Sequence, residues 1–399
     1  MTGRIWAYGF ATFILMLGVF LVEAAAQPRI EIVVAQVDAA EPVFVHARDA
    51  CERWDVPDVP ARAFRDHDGI VHLIASHTTT RRMSGSDLNR VRPSCAVLLD
   101  SRRDGDPAHY DDRSWLAALH TSDGQRVHAL LHDEFHGHLR RDLCRFDRYM
   151  ACWRNTITAG FSSDGGRSFR VADLPGRLVA GLPYRYDGAV GRHTGYFNPS
   201  NIVEAGGFFY AFFWAEPHDA QERGACLMRT ASLADSAAWR GYDGKSFAVR
   251  FVDPYINAPE DPTRHVCPPV ARGRLVSTVW SVVRHETSGN WLAVLAMTRP
   301  TSPGSLPVSG IWVATSRDLL DWSPAELVMA APLLTSPSCE SAYSYFYPAL
   351  LDPASQSRVF ESVGDGPFIY LTRLHMARCL PTAARDLVRI RAQIRPRAP

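Results

Sequence analysis

Apolar residues fall in short runs along most of this chain, and the runs come in pairs. Ser200 to Val203 and Phe208 to Trp214 flank Glu204-Ala205-Gly206-Gly207, and two β-prone runs around a Gly-bearing turn predict a β-hairpin. The same grammar recurs. One hairpin is predicted over Asp58 to His77, turning at Asp68-Gly69, and another over Asp112 to Gly137, turning at Asp123-Gly124. A fourth covers Cys267 to Thr298 around Ser288-Gly289-Asn290, and a fifth covers Tyr345 to Leu374. Between them, Ile157 to Phe161 with Phe169 to Val171, and Ile311 to Thr315 leading to Trp322, predict further strand pairs.

Units that start roughly 50–80 residues apart fit blades of four strands each. Alanine-rich helical patterns are nearly absent and aromatics make up 11% of residues, which points the same way. The expected fold is all-β, a five-bladed β-propeller of four-stranded antiparallel blades forming one domain over 27–380. Residues 381–399 are rich in Arg and Pro with a short helical look, and read as a C-terminal tail, on the surface or as a final packing segment.

Composition changes this picture at the N-terminus and at the cysteines. Arg4, the apolar run Ile5 to Val22 and Ala24-Ala25-Ala26 predict a signal peptide over 1–26, cleaved before Gln27. The body of the protein is therefore expected to be secreted or periplasmic, with no membrane association beyond that segment. All eight cysteines follow it, and none has CxxC spacing, so disulfides are expected. The expected pairs are Cys144–Cys152, then the sequence neighbours Cys51–Cys95, Cys226–Cys267 and Cys339–Cys379. With 43 basic and 42 acidic residues the charge is balanced, which excludes an electrostatic case for nucleic acid. A monomer is expected.

Two turns carry a resemblance. Ser162-x-Asp164-x-Gly166-x-x-Phe169 is similar to the Asp-box of sialidases and related propellers. Ser316-Arg317-Asp318-Leu319-Leu320-Asp321-Trp322 resembles a turn of five-bladed glycosidases of the arabinanase and xylosidase type. Arg229 to Gly244 is a looser relative, and Phe346 to Asp352 resembles the start of an inner strand. The resemblance implies a carbohydrate as substrate or ligand, and glycoside hydrolysis by paired carboxylates. It also implies an Asp on the first inner strand, for which Asp58 can stand. A second Asp is expected where Asn198-Pro199 is found, and a Glu where the fourth unit has His265-Val266-Cys267.

Antiparallel strands put the starts of inner strands and the ends of second strands at one mouth of the channel. Starts give Asp58, Asp111 with Asp112, Asn198, His265 and Tyr345; ends give His77, Glu134 and Glu216. Glu134 and Glu216 sit at matched offsets, in VHALLHDE and FYAFFWAE. We therefore expect Asp58 as catalytic base, with Glu134 or Glu216 as acid. Arg62, His77, Asp112, His132, Asn198, Trp214 and Tyr345 are expected to bind substrate. Trp54 and Phe135 add aromatic surface for sugar rings. His132, His136 and His138 show no zinc spacing, so neither metal nor cofactor is expected. The alternative is a propeller that binds glycan or protein without catalysis.

Overall fold

The computed structural model describes residues 1–3, 30–140 and 142–397. Apart from its first three residues, the expected signal peptide lies outside the described residues. The chain is nearly all β. It opens with β1 (Ile30–Val34) and β2 (Glu41–Phe44), then forms five groups of strands. The first is a four-stranded sheet of β3 (Arg62–Arg65), β4 (Val71–Ile74), β5 (Thr79–Gly85) and β6 (Arg92–Asp100). The second has β7 (Arg113–His120), β8 (Val127–His136) and β9 (Trp153–Ser162), with β10 (Arg170–Val171) and β11 (Leu178–Ala180) both paired to β9.

The third group comprises β12 (Thr194–Phe197), β13 (Val203–Ala205), β14 (Phe208–Glu216), β15 (Gly224–Thr230), β16 (Arg240–Gly241) and β17 (Val249–Arg250). Its β12 pairs antiparallel with β14 and parallel with β9, which fuses the second and third groups into one eleven-stranded sheet. The fourth group is β18 (Val279–His285), β19 (Trp291–Pro300), β20 (Pro307–Ser316) and β21 (Glu326–Ala330). The fifth is β22 (Tyr343–Leu351), β24 (Phe368–Ala377) and β25 (Leu380–Pro396), while the short β23 (Ser362–Val363) pairs with β18. All five expected hairpins form: β3–β4, β7–β8, β13–β14, β18–β19 and β22–β24.

The C-terminus differs from expectation. Residues expected as a tail form β25, which pairs along β24 on one side and with β1 and β2 on the other. The physical reason is a period-two pattern beneath the Arg-rich composition. Ile390, Ala392 and Ile394 are buried, while Arg389, Arg391, Gln393 and Arg395 alternate with them. The N-terminal strand β1 thus completes the sheet that the C-terminus begins.

Five apolar clusters lie between successive groups. Phe64, Ile74, Leu116 and Leu131 join the first group to the second; Ile157, Tyr196 and Phe213 join the second to the third. Phe212, Leu227, Val282 and Trp291 join the third to the fourth, and Leu292, Ile311, Leu371 and Ile390 join the fourth to the fifth. Leu73, Leu351, Phe360 and Tyr370 then join the fifth back to the first. Alternation explains the division: Phe212 and Phe213 are adjacent on β14 and fill different clusters. Each such side chain contributes roughly 1.5–3 kcal/mol on burial.

Turns far from the strand ends discussed below share one construction. Ser162 Oγ accepts from Gly166 N (2.9 Å), and Asp164 Oδ1 accepts from Arg167 N (2.9 Å) and Ser168 N (3.0 Å). Ser316 Oγ accepts from Leu319 N (3.0 Å), and Asp318 Oδ1 from Leu320 N and Asp321 N. Leu319 holds φ 69°, matching 72° at Gly165, a left-handed conformation that a leucine adopts only under constraint. The buried Trp322 supplies it by donating to Leu319 O (2.9 Å). Four disulfides pair Cys51–Cys95, Cys144–Cys152, Cys226–Cys267 and Cys339–Cys379, as expected from sequence order.

Candidate active site

The segment His132-Asp133-Glu134-Phe135-His136 lies on β8, where side chains alternate between faces. His132, Glu134 and His136 therefore share one face, and Asp133 and Phe135 take the other. His132 Nε2 reaches Glu134 Oε1 (2.9 Å) and His136 Nε2 reaches Oε2 (2.8 Å). The Asn198 N–H donates to His132 Nδ1 (3.0 Å), which leaves the ring proton on Nε2, facing the carboxylate. Burial alone would push the Glu134 carboxyl up, but the two imidazole hydrogen bonds outweigh it and hold the group below its ordinary range. Glu134 is thus an ionised, oriented carboxylate.

Asp58, just before β3, accepts from Trp115 Nε1 (3.2 Å), pairs with Arg385 and lies 3.4 Å from His77 Nε2. Burial, followed by the Asp58 charge, raises the Tyr347 phenol well above its usual range. Burial holds the His77 imidazole low against the pull of Asp58. Trp115 links the two carboxylates: its indole N–H donates to Asp58, and its ring meets His132, which bonds Glu134.

Glu216 stands apart. Arg113, Glu134, Asn155, Gly195 and Glu216 are register partners across β7, β8, β9, β12 and β14, one row on the sheet. Glu134 and Glu216 are three strand spacings apart, roughly 14 Å of backbone. Gly195 is required in that row, because a Cβ there would lie 2.1 Å from Asn155 O where β12 meets β9. Glu216 accepts from Trp214 Nε1 (2.9 Å) and Arg223 (2.6 Å), with His193 at 3.5 Å. Burial pushes its carboxyl up, and hydrogen bonds from His193, Trp214 and Arg223 more than reverse that. Both glutamates are thus held toward the ionised form.

Aromatic rings connect these groups. Trp54 stacks on His77, which meets Trp115 edge-on, and Trp115 meets His132. Phe197 continues to Trp153 and His193, while Tyr149 covers His136, His138 and Trp153. Trp54 and Tyr149 are 50% and 47% exposed, so each offers a ring to solvent at the rim.

Three expected substrate-binding residues are placed elsewhere. Arg62 is buried and donates to Ala117 O (2.7 Å) and Trp280 O (2.8 Å), joining three strand groups; burial takes its guanidinium down to about 9. Asp112 is buried and occupied, accepting from His136 N (2.9 Å) and Arg140 (3.2 Å). Tyr345 belongs to the apolar cluster between the fourth and fifth groups. There a bulge between Phe346 and Ala349 shifts the register, and Tyr347, two residues on, reaches the site instead. Asn198 contributes its backbone N–H, and Trp214 serves Glu216. Phe135 faces Tyr186 on the far side of β8, and His265 binds Arg250 O.

Sequence reading missed Arg385, Tyr347, Tyr149 and Arg113. A signal for Tyr347 exists: Phe197-Asn198-Pro199 and Phe346-Tyr347-Pro348 are alike, and Asn198 and Tyr347 have φ 50° and 52°. A left-handed residue before proline is strained, and both such positions lie at this site. Among the described residues no group of three or more His, Cys, Asp or Glu is arranged to hold a metal ion.

No protein-family model matches the chain, and no curated protein matches it. Similar solved structures include an α-L-arabinofuranosidase from Lactobacillus brevis, at 9% identity and TM-score 0.49, covering 86% of this chain and 93% of that one. Another is the catalytic domain of a GH62 α-L-arabinofuranosidase from Coprinopsis cinerea, at 10% identity and TM-score 0.43, covering 92% and 97%. A third is a xylan β-1,4-xylosidase from Bacillus halodurans C-125, at 10% identity and TM-score 0.45; 86% of this chain spans 53% of that protein, about half its length.

Proposed function

We propose that this protein is a secreted or periplasmic five-bladed β-propeller, glycoside hydrolase-like, that engages a carbohydrate at the mouth lined by Asp58 and Glu134. The five-blade reading rests on the five apolar clusters, the last of which returns to the first, and on β1 completing the sheet of β25. In that reading the Ser162–Phe169 and Ser316–Trp322 turns are Asp-box-like, and serve as scaffold. The four disulfides fit an oxidising compartment.

The observation that carries the functional reading is the chain of contacts from Asp58 through Trp115 and His132 to Glu134, with the exposed rings of Trp54 and Tyr149 against His77 and His136. An ionised carboxylate fixed by two imidazoles suits stabilisation of an oxocarbenium-like centre, or attack on it, while Asp58 takes the partner role. Trp54 and Tyr149 would stack on the C–H faces of sugar rings. Reducing-sugar release from a glycan panel tests this. Loss of release in both Asp58→Asn and Glu134→Gln supports the reading, and wild-type release in both removes it.

A non-catalytic glycan-binding propeller is the second reading. It is favoured by one observation, that the carboxylate oxygens are already taken: Asp58 pairs with Arg385, and hydrogen bonds to two imidazoles occupy both oxygens of Glu134. Saturable glycan binding without turnover would select it.

A further inference from the structure

Arg113 is the cation of this mouth that has no matching anion. It sits on β7 directly opposite Glu134, yet among the described residues it forms no ion pair, because His132 and His136 occupy both Glu134 oxygens. Its Nη1 is shielded from solvent and has no hydrogen-bond partner in the protein. Two more polar atoms nearby share that condition, Trp153 Nε1 and His138 Nδ1. Tyr149 packs on both of those rings, and the Arg113 charge acts on Tyr149, His138 and His77. A buried donor left unpaired costs about 1–3 kcal/mol, and more when it is charged.

We infer that Arg113, with the Trp153 indole N–H two strands away on the same sheet face, is the anchor for a carboxylate carried on a sugar ring, so that the ligand is a glycan containing uronic acid. This rests on the carbohydrate reading above and names its substrate class. Two features favour a sugar-borne carboxylate over a free anion. Trp153 and His138 pack on Tyr149, and Arg113 shares a face of β7 with Trp115, which meets His77 under Trp54, so a ligand that reaches Arg113 also meets aromatic faces. A free inorganic anion would leave those faces unused. Asp58 and Glu216 are paired with Arg385 and Arg223, and both Glu134 oxygens are turned to His132 and His136, so the acids leave Arg113 free for the ligand.

The test is a binding titration followed by tryptophan fluorescence, with D-glucuronate, D-galacturonate, D-glucose, acetate and sulfate as separate probes. Saturation is expected with at least one sugar acid at concentrations up to roughly 10 mM, the weak end of specific affinity. Glucose, acetate and sulfate should bind more weakly by about tenfold or more. Arg113→Met should weaken sugar-acid binding by roughly 10- to 100-fold, the loss of a charged hydrogen bond, and Arg113→Lys should restore part of it. Glucose, acetate or sulfate binding as tightly as the sugar acids would overturn the inference. So would unchanged binding in Arg113→Met, or no saturation by either sugar acid. Turnover of neutral glycans that Arg113→Met leaves untouched would keep the hydrolase reading and remove this one. Sugar-acid binding with no turnover of any glycan would do the reverse.

Discussion

Arg113 and Glu134 face each other across β7 and β8, in register and on one face, without forming an ion pair. The carboxylate is instead held by the histidines two residues before and after it on its own strand. The same register row places Glu216 three strands away, with its own cation in Arg223. The matched offsets of Glu134 and Glu216 therefore do not make them a catalytic pair. Glu134→Gln is expected to lower turnover by at least about 10²-fold, the scale of a lost acid–base or charge-stabilising group. Glu216→Gln should stay near the wild-type rate. Initial rates of reducing-sugar release compare the two, and equal losses would contradict this division.

Arg62 reads from sequence as a sugar-binding residue but is buried among three strand groups. Its donors satisfy Ala117 O and Trp280 O, which belong to the second and fourth strand groups. Arg62→Met leaves both carbonyls without that donor while removing a buried charge, and the two effects oppose each other. Lost hydrogen bonds from a charged donor outweigh the relief, for a net destabilisation of about 2 kcal/mol. Urea melts would show a lower midpoint with an unchanged slope.

How much of this was legible depends on how local each signal is. Hairpins are local: a Gly-bearing turn and two period-two runs specify β7–β8 without reference to anything distant, and the Ser162–Phe169 turn makes its bonds within eight residues. The disulfides were legible because each pair joins sequence neighbours. What failed was long-range. Arg385 meets Asp58 only because β25 is built into the sheet of β24, and an Arg-rich composition hid the alternation of that strand. Tyr345 was chosen over Tyr347 because nothing in the residue pattern fixes the bulge that shifts the register at Phe346.

Tyr149 reaches the site on the segment between β8 and β9, which the Cys144–Cys152 disulfide closes over a sequence separation of 8. Short loops gain least from cross-linking in the unfolded state, so replacing both cysteines by Ser should cost global stability only about 2–3 kcal/mol. The local effect should be larger, because Tyr149 would lose its fixed seat over His136 and Trp153. We expect weaker glycan binding, by roughly tenfold, with the melting temperature lowered by only a few degrees. A large fall in melting temperature with unchanged affinity would show that the bridge serves the fold instead.

Two groups outside the site, buried His120 and half-buried Glu361, should set opposite pH responses. His120 packs edge-on against Phe209, and burial, with His128 nearby, takes its imidazole down to about 4. A lowered imidazole stabilises the fold fully above its ordinary range near 6.5, and that stability is lost as pH falls toward about 4. Glu361 accepts from Glu204 N (2.9 Å), and burial raises its carboxyl to about 7. A raised carboxyl stabilises below its ordinary range near 4.5, and that stability is lost as pH rises through about 7. Glu361→Gln should thus match the wild type near pH 4.5 and be more stable above pH 7, by about 1–2 kcal/mol after allowance for its partial exposure. His120→Phe should gain relative to the wild type as pH falls from 6.5 to 4, by about 2–3 kcal/mol at most. Because His72, His77 and His128 are also lowered, the wild-type curve contains several contributions, and the differences between variants are the informative quantity. Denaturant melts of all three proteins at pH 4.5, 6 and 8 would measure them, and a Glu361→Gln advantage that shrinks with rising pH would refute the assignment.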